Sequence, residues 1–325
     1  MSESSDVKLV RRAPKSANAR DAFTKDDAMT AARLAVSAVI AWLAPQDWWP
    51  GLARQTSWFG GKIAGKTTTA VAARITRALA HNDAAMGAEL AADLRGARYE
   101  VAYQALRGYR PGGWRPKIEV VGREHLDAAL AAGKGCVLWV AHFVFAPNVA
   151  KIGLHDLGYR VSHLSRPDHG FSSTEFGLRY LNPVRSAFED RYLEGRIVFD
   201  RGHPAPALLR ARKIVAKNGI VSFTAGAWEG SSVIESEFLG HRITLAMGPV
   251  WLARASGAAL LPVFAFRTKS PDEFLVEIGA PIAVSSAASD EADFVEAARV
   301  FLQRQQPRIL KYPGQWRGWS SLKDA

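Results

Sequence analysis

The sequence predicts an α/β fold, a single domain in which a mixed, largely parallel sheet is flanked by helices. Between residues 117 and 305, short apolar runs typical of strands alternate with amphipathic stretches of helical length. A chain that alternates in this way forms parallel strands joined by crossover helices. Glycines close most of the helical stretches, and no internal repeat or linker interrupts residues 117–285. One domain is therefore expected.

The elements of this domain can be placed in order from their periodicity and from the residues that begin and end helices. Strands are predicted at residues 118–121, 136–141, 160–164, 197–199, 220–225, 260–266 and 274–278. Helices are predicted at residues 67–79, 83–107, 124–132, 147–157, 204 or 206 to 217, 247–256 and 291–305. The run at 136–141 is apolar throughout, and we expect it to be a buried strand.

Charge and composition restrict the classes of partner. The chain has 325 residues and a formal net charge of +11, which favours an anionic partner such as nucleic acid, a phospholipid surface or a phosphorylated substrate. Ten tryptophans favour the membrane surface, where an apolar ring with a polar N–H is best accommodated. The single cysteine, Cys136, excludes an internal disulfide and fits a reducing compartment.

The N-terminal region combines two kinds of segment. Residues 1–27 contain few large apolar side chains and are predicted to be a disordered tail, which leaves residues 28–325 as the domain. Residues 34–44 are apolar but shorter than the roughly 20 residues that a transmembrane helix needs. Because Trp42, Trp48, Trp49 and Trp58 surround this segment, we expect residues 28–80 to form membrane-associated helices that lie in the interface. The alternative is an amphipathic helix packed on the body of the protein.

A phosphate-loop pattern, G-x-x-x-x-G-K-[ST], occurs at residues 60–67. Its mechanism requires an apolar strand before the loop and a helix after it, so that backbone N–H groups converge on phosphate. Residues 52–59 contain a polar run and do not resemble such a strand. Nucleotide hydrolysis, with Asp200 as a magnesium ligand, is therefore only a distant alternative.

One histidine lies where chemistry is usually done in an α/β sheet. His142 directly follows the buried strand at 136–141, and ligands in such sheets bind beyond the carboxyl ends of the strands. The other interpretation of this stretch alone is a structural histidine, hydrogen-bonded at a strand end. His155, His163 and His169 do not have a spacing typical of metal ligands, and no metal is expected.

Several stretches carry a resemblance to a known family. They are VVGREHLDAALAAGKGCVLWVAHF at 120–143, LHDLGYRVSHLSRP at 154–167, FLGHRITLAMGPVWLARASGAALLPVFAFR at 238–267, and YPGQWRGW at 312–319. In this order they resemble the lysophospholipid acyltransferase superfamily over residues 85–320, and are most similar to the lauroyl/myristoyl acyltransferases of bacterial lipid A biosynthesis. The resemblance implies a glycerolipid acyltransferase-like fold.

The resemblance also implies an activity and a location. Members of this family move a fatty acyl chain from a thioester of acyl carrier protein or coenzyme A to the hydroxyl of a lipid acceptor. The expected location is the cytoplasmic face of the bacterial inner membrane, as a peripheral or monotopic protein on an anionic membrane surface. The acyl thioester is a co-substrate, so no further cofactor is implied, and nucleic acid is not an expected partner.

The family's catalytic histidine corresponds to His142, which would take the proton of the acceptor hydroxyl. The family places an acidic residue five positions later, and this chain has Pro147 there. A second acidic position of the family, after the next core strand, corresponds to residues 224–226, which contain no acid. Asp200 and Glu229 are the candidate replacements.

The resemblance suggests further positions at the substrate. Substrate-binding roles are implied for Arg166, Glu229, Gly240, His241, Arg242 and Gly248. Arg166 follows a strand and is either a ligand for an anionic group or a surface arginine, and the glycines either bind phosphate through backbone N–H groups or form tight turns. The sequence thus favours an acyltransferase, with a catalytically degenerate lipid-binding or regulatory protein of the same fold as the alternative.

Overall fold

The computed structural model describes residues 7–11, 20–61, 65–79, 83–199, 205–226, 232–285 and 290–323, with only the backbone at 58–61, 65–68 and 290. Its strands are β1 (Lys8–Arg11), β2 (Lys117–Val121), β3 (Cys136–Val140), β4 (Val161–Ser165), β5 (Gly195–Val198), β6 (Ile220–Thr224), β7 (Ser232–Phe238), β8 (His241–Ala246), β9 (Ala259–Arg267) and β10 (Glu273–Ile278). Its longer helices are α1 (Lys25–Leu43), α2 (Trp49–Gly61), α3 (Gly65–Ala78), α4 (Ala84–Arg107), α5 (Arg123–Ala131), α6 (Ala146–Asp156), α7 (Pro183–Asp190), α8 (Ala205–Val215), α9 (Gly248–Ser256) and α10 (Asp290–Lys311).

A seven-stranded sheet organises the described part of the chain, in the order β2-β10-β9-β3-β6-β4-β5. All neighbouring strands are parallel except β9 and β10, which form an antiparallel pair. This mixed, largely parallel sheet with flanking helices confirms the predicted fold class. The predicted strands and helices between residues 117 and 305 are present, with ends that differ by a few residues.

The strand β3 lies at the centre of this sheet and is buried along its whole length. The ring of Trp139 stacks on Phe301 of α10, with centroids 4.1 Å apart. A strand with neighbours on both edges and helices on both faces must be apolar at every position, which explains its uninterrupted hydrophobic sequence. The residues that follow β3 are thereby held in a fixed position.

A second, three-stranded sheet was not predicted. It has the order β1-β7-β8, and both pairs are antiparallel. The hairpin of β7 and β8 turns at Leu239 and Gly240, both with positive φ. Its side chains alternate between buried and exposed positions, so a period-two pattern was the available signal.

The expected disordered tail over residues 1–27 is wrong in two places. Residues 8–11 form β1, which pairs with β7. Residues 20–27 lead into α1, where the side chains of Thr24 and Asp27 form a capping box. The Asp27 carboxylate also accepts hydrogen bonds from the hydroxyls of Ser172 and Thr174. These partners are distant in the sequence, so the composition of the tail does not reveal them.

The N-terminal helices pack on α4, and only part of their tryptophan set faces outward. Trp42 and Trp48 are 42% and 64% exposed. Trp49, expected at an interface, is instead buried, with its ring 5.9 Å from that of Tyr103 and 5.1 Å from the Arg107 guanidinium. The side chain of Trp58 lies outside the described residues. None of the helices in the described ranges is both long and apolar enough to cross a membrane.

The phosphate-loop pattern does not have the structural context that its mechanism requires. The helix α2 extends to Gly61, where a strand would have to precede the loop, and α3 begins at Gly65. Residues 62–64 and Asp200 lie outside the described residues. The nucleotide-binding interpretation required a strand before the loop, and the structure has a helix there.

The turn that leads into β3 contains two glycines with left-handed backbone conformations but different surroundings. Gly133 and Gly135 have φ values of +71° and +69°. A Cβ at Gly133 would meet nothing within 4 Å, whereas one at Gly135 would lie 2.4 Å from the carbonyl oxygen of Val215.

Alanine at either position should cost about 1–2 kcal/mol because of the left-handed backbone. Gly135→Ala should cost a further 1–3 kcal/mol, roughly, from the overlap with the backbone of α8. Urea unfolding of Gly135→Ala and of the matched Gly133→Ala variant measures the difference. Equal free energies of unfolding would contradict this account of the turn.

Candidate active site

A cavity of about 540 Å³ lies beyond the carboxyl ends of β3, β4 and β6. His142 reaches it from the segment after β3, Arg166 from the loop after β4, and Thr224 from the last position of β6. The cavity therefore occupies the edge of the sheet where ligands of α/β proteins bind. Of the residues predicted from the sequence, His142, Pro147, Arg166 and Gly248 line it.

The lining of this cavity has an apolar part and a cationic part. Apolar side chains come from several strands and helices and include Val140, Ala150, Leu154, Phe199, Leu208, Phe223, Met247, Trp251 and Phe294. Cations and histidines also line it, namely Arg11, Lys151, Arg166, Arg185, Arg317, His142, His163 and His169. Such a cavity fits an amphiphile that has an aliphatic chain and a negatively charged group.

His142 is buried, and its environment favours the neutral imidazole. Burial lowers the pKa of His142 well below 6.5, and the charges of Arg317 and Arg98 lower it further. Its backbone carbonyl accepts a hydrogen bond from the N–H of Arg317, at 2.9 Å. A neutral imidazole in a cavity can accept a proton from a bound hydroxyl.

Pro147, where the sequence resemblance led us to expect an acid, lies at the start of a helix. Pro147 lies in the first turn of α6, where a proline is tolerated because the missing N–H would have no helical partner. No Asp or Glu lines the cavity within the described ranges. The two candidate replacements, Asp200 and Glu229, lie outside the described residues.

A buried carboxylate, Glu189, supports the cationic part of the lining and was missed in the sequence. It lies in α7 and contacts Lys151 at 2.5 Å, His169 at 2.9 Å, Arg185 at 2.8 Å and Arg196 at 3.1 Å. Burial opposes its ionisation, but Lys151, His169 and Arg185 hold the pKa of Glu189 well below 4.5. Only the i, i+4 spacing of Arg185 and Glu189 is visible in the sequence, because the other partners come from α6, β5 and a loop.

The two other histidines of the cavity are held by hydrogen bonds. His169 contacts Glu189 through Nε2, and the Nδ1 of His163 lies 2.9 Å from the hydroxyl of Ser222. Burial lowers the pKa of His169 to about 4 and that of His163 well below 6.5. No set of three or more potential metal ligands is grouped together in the part of the chain that the structure describes.

Three residues with a predicted substrate-binding role do not reach the cavity. Gly240, His241 and Arg242 lie at the turn of the β7–β8 hairpin, while Ala246, at the other end of β8, lines the cavity. Five residues of extended strand separate the two places by about 17 Å. His241 is buried, with its Nε2 3.2 Å from the carbonyl oxygen of Arg74, and the backbone of Arg242 pairs with Lys323. These three residues therefore do not line this cavity, and a role for them in substrate binding stays a prediction.

Gly248 lies at the start of α9 and lines the cavity. A Cβ there would approach only the ring of Phe223, at 3.7 Å. The position can therefore accept an alanine, and its contribution to the site is the N-terminal turn of a nine-residue helix. A role in binding an anionic group remains a prediction.

No family model matches this chain, and no curated protein matches it. Among solved structures, it is similar to the crystal structure of the 1-acyl-sn-glycerophosphate (LPA) acyltransferase, PlsC, from Thermotoga maritima. The sequence identity is 14%, the match covers 88% of this chain and 96% of that chain, and the TM-score is 0.38. A likeness at this level assigns neither an activity nor a substrate to the chain.

Proposed function

We propose that this protein is an acyltransferase that moves a fatty acyl chain from a thioester to a lipid hydroxyl, with His142 as the general base. The proposal rests on the position of His142, which directly follows the central strand and lines a cavity that both apolar side chains and cations line. The donor is an acyl thioester of acyl carrier protein or coenzyme A.

The reaction follows from these groups. The neutral imidazole of His142 takes the proton of the acceptor hydroxyl as its oxygen attacks the thioester carbonyl carbon. A tetrahedral intermediate with a negatively charged oxygen forms. The carbon–sulfur bond then breaks, and the thiolate receives the proton from His142. The products are an acylated lipid and a free thiol, and no redox step is involved.

The apolar and the cationic side chains of the lining suit the two chemical parts of the substrates. An aliphatic chain gains roughly 0.8 kcal/mol for each methylene that it buries against apolar side chains. The arginines that line the cavity favour negatively charged groups, such as the phosphates of the donor or the acceptor. A bound anion would also raise the pKa of His142, because it opposes the effect of these arginines.

Thiol release tests the proposal. The purified protein is mixed with acyl coenzyme A or acyl carrier protein, and with vesicles that contain a lysophospholipid. Time-dependent release of thiol that requires the lysophospholipid is the expected result. No release with either donor, from a folded and vesicle-bound sample, would overturn the proposal.

The proposed binding site for the membrane is an apolar face of α1. Val36, Val39 and Leu43 are 50%, 58% and 78% exposed, and their spacing places them on one side of the helix, next to Trp42. The guanidinium of Arg110 lies beside this face, where it donates to the carbonyl oxygen of Trp42 at 2.8 Å. An apolar face bordered by cations is typical of helices that lie in the surface of an anionic bilayer.

Leu43→Glu should weaken binding to anionic vesicles by about tenfold or more, because it removes apolar area and adds repulsion from the lipid charge. Leu310→Glu is the matched control, since Leu310 is also exposed but lies on α10. Co-sedimentation with vesicles at low salt measures both. If the two variants lose the same amount of binding, or the unmodified protein does not bind, α1 is not the membrane-binding face.

A lipid-binding protein without catalysis is the second candidate. The observation that favours it is Pro147 in the place of the family's acid. Removing the carboxylate partner of a catalytic histidine costs about 10⁴ in rate in a hydrolytic triad. A protein of this kind would retain the acyl chain or the lipid in the cavity but would release no thiol.

A further inference from the structure

A segment near the C-terminus, residues 315–317, is hydrogen-bonded to the segment that carries His142. The N–H of Val144 donates to the carbonyl oxygen of Gln315 at 2.8 Å, and the N–H of Arg317 donates to that of His142 at 2.9 Å. Phe143 and Trp316 form an antiparallel bridge between these bonds. Trp316 is buried and packs against Trp319, with ring centroids 4.9 Å apart. The backbone of Arg317 is therefore fixed relative to His142.

The guanidinium of Arg317 differs from three other cations that line the cavity, those of Lys151, Arg166 and Arg185. Lys151 and Arg185 contact Glu189, and Arg166 lies 3.7 Å from Asp168. Arg317 forms no ion pair with any acid in the described ranges, and its Nε is buried without a hydrogen-bond partner there. A buried donor that is left unsatisfied carries a free-energy cost, and that cost is removed when an acceptor binds.

We propose that the guanidinium of Arg317 binds the carbonyl oxygen of the acyl thioester and stabilises the oxyanion of the tetrahedral intermediate. This inference rests on the proposed function and adds a catalytic residue to it. During attack, the carbonyl π electrons move onto the oxygen, and Arg317 donates to that oxygen. When the carbon–sulfur bond breaks, the carbonyl re-forms and the negative charge leaves with the thiolate.

Two features of the site support this role. A donor that is buried and already oriented before the reaction stabilises developing charge without reorganisation, and such stabilisation is usually the largest single contribution to catalysis. The backbone bond between Arg317 and His142 keeps the oxyanion donor and the base on the same cavity wall. Burial and the charges of Arg98, Arg185 and Arg166 lower the pKa of Arg317, so a negative oxygen is favoured at this place.

The test compares Arg317→Gln with Arg317→Lys and with Arg123→Gln, an exposed control on α5. In the thiol-release assay, Arg317→Gln should lower kcat by about 10²–10³-fold with little change in KM. Arg317→Lys should retain part of the rate, and added guanidinium ion should restore part of the rate of Arg317→Ala. An unchanged kcat, or a raised KM alone, would overturn the inference and would assign Arg317 to ground-state binding of the substrate.

A binding measurement tests the same role of Arg317 if the glutamine variant does not fold. Two unreactive analogues of acyl coenzyme A are used, a ketone in which CH₂ replaces the sulfur and a thioether that lacks the carbonyl. The unmodified protein should bind the ketone more tightly, and Arg317→Lys should lose most of this preference. If the unmodified protein and Arg317→Lys prefer the ketone over the thioether by the same factor, the inference is overturned. Absence of transfer by the unmodified protein would instead overturn the proposed function.

Discussion

His142→Gln should lower the rate of acyl transfer by about 10²–10⁴-fold, which is the usual contribution of a general base. Glutamine can fill much of the same space and can form hydrogen bonds, but it cannot accept the hydroxyl proton. The fold and the membrane binding should be unchanged, because α1 is remote in sequence from this site and presents its own exposed face. The thiol-release assay and vesicle co-sedimentation measure the two effects.

His155→Gln is the matched control for this substitution. His155 is half-exposed on α6 and contacts Asp156 at 3.3 Å, so its loss should leave the rate of transfer unchanged. Equal rates for His142→Gln and the unmodified protein would show that another group accepts the proton. Equal losses in both variants would indicate a general effect on the fold.

The pH dependence of kcat/KM gives a second check on the same residue. Because the pKa of His142 in the protein without substrate lies well below 6.5, the neutral, proton-accepting form is present at neutral pH and remains so in mildly acidic solution. A decrease in kcat/KM that is due to His142 should therefore occur only below pH 6.5. A midpoint at 6.5 or above that disappears in His142→Gln would contradict the burial and the charges described for this histidine.

Glu189→Gln should destabilise the protein by about 3–5 kcal/mol, the usual cost of removing one partner from a buried ion pair. The substitution removes the carboxylate that Lys151, Arg185 and Arg196 share, and of these three cations only Arg196 keeps another acidic partner among the described residues, Asp190. Urea unfolding measures the loss. Glu194→Gln is the control, because Glu194 pairs with Arg160 at the surface and should contribute at most about 1 kcal/mol. A loss below 1 kcal/mol for Glu189→Gln would contradict its central role.

The lowered pKa values of His169 and Glu189 predict how acid affects the stability of the protein. The folded pKa of His169 is lowered to about 4 from 6.5, so the unfolded chain binds its proton first and stability falls as the pH drops below 6.5. The folded pKa of Glu189 is also lowered, so its contribution is present above the unfolded pKa near 4.5 and is lost as the pH falls through the folded value. The free energy of unfolding should therefore decrease steadily from pH 7 to pH 4. A maximum near pH 5 would contradict these environments.

The parallel part of the fold could be predicted because each of its strands and helices has a local sequence signal, such as an apolar run or a residue that begins or ends a helix. The apolar run of β3, with glycine before it and His142 after it, is readable without knowledge of its neighbours. The same holds for α6, with Pro147 in its first turn, and for α9, which is capped at its C-terminus by Gly257 with φ +62°. The position of His142 at the cavity followed from the rule for strand ends in α/β sheets.

The features that were missed depend on contacts between distant segments. The strand β1 is stabilised by pairing with β7, more than 200 residues later. Glu189 meets partners from several elements, and only Arg185 lies within one helical turn of it. Trp49 has the sequence surroundings of an interfacial tryptophan but packs against Tyr103 of α4. Composition and periodicity describe a segment, and they do not specify which distant segment it contacts.

The fate of the acyl chain distinguishes acyl transfer from lipid binding without catalysis. The purified protein is mixed with an acyl thioester whose chain carries an isotope label, and with vesicles that contain a lysophospholipid. Mass spectrometry then follows the label in the lipid, while the free thiol is measured in the same sample. Acyl transfer predicts that labelled lipid and thiol appear in equal amounts over many turnovers, and that both fall together in His142→Gln. Label that stays bound to the folded protein, with neither thiol release nor acylated lipid, would contradict acyl transfer in this cavity.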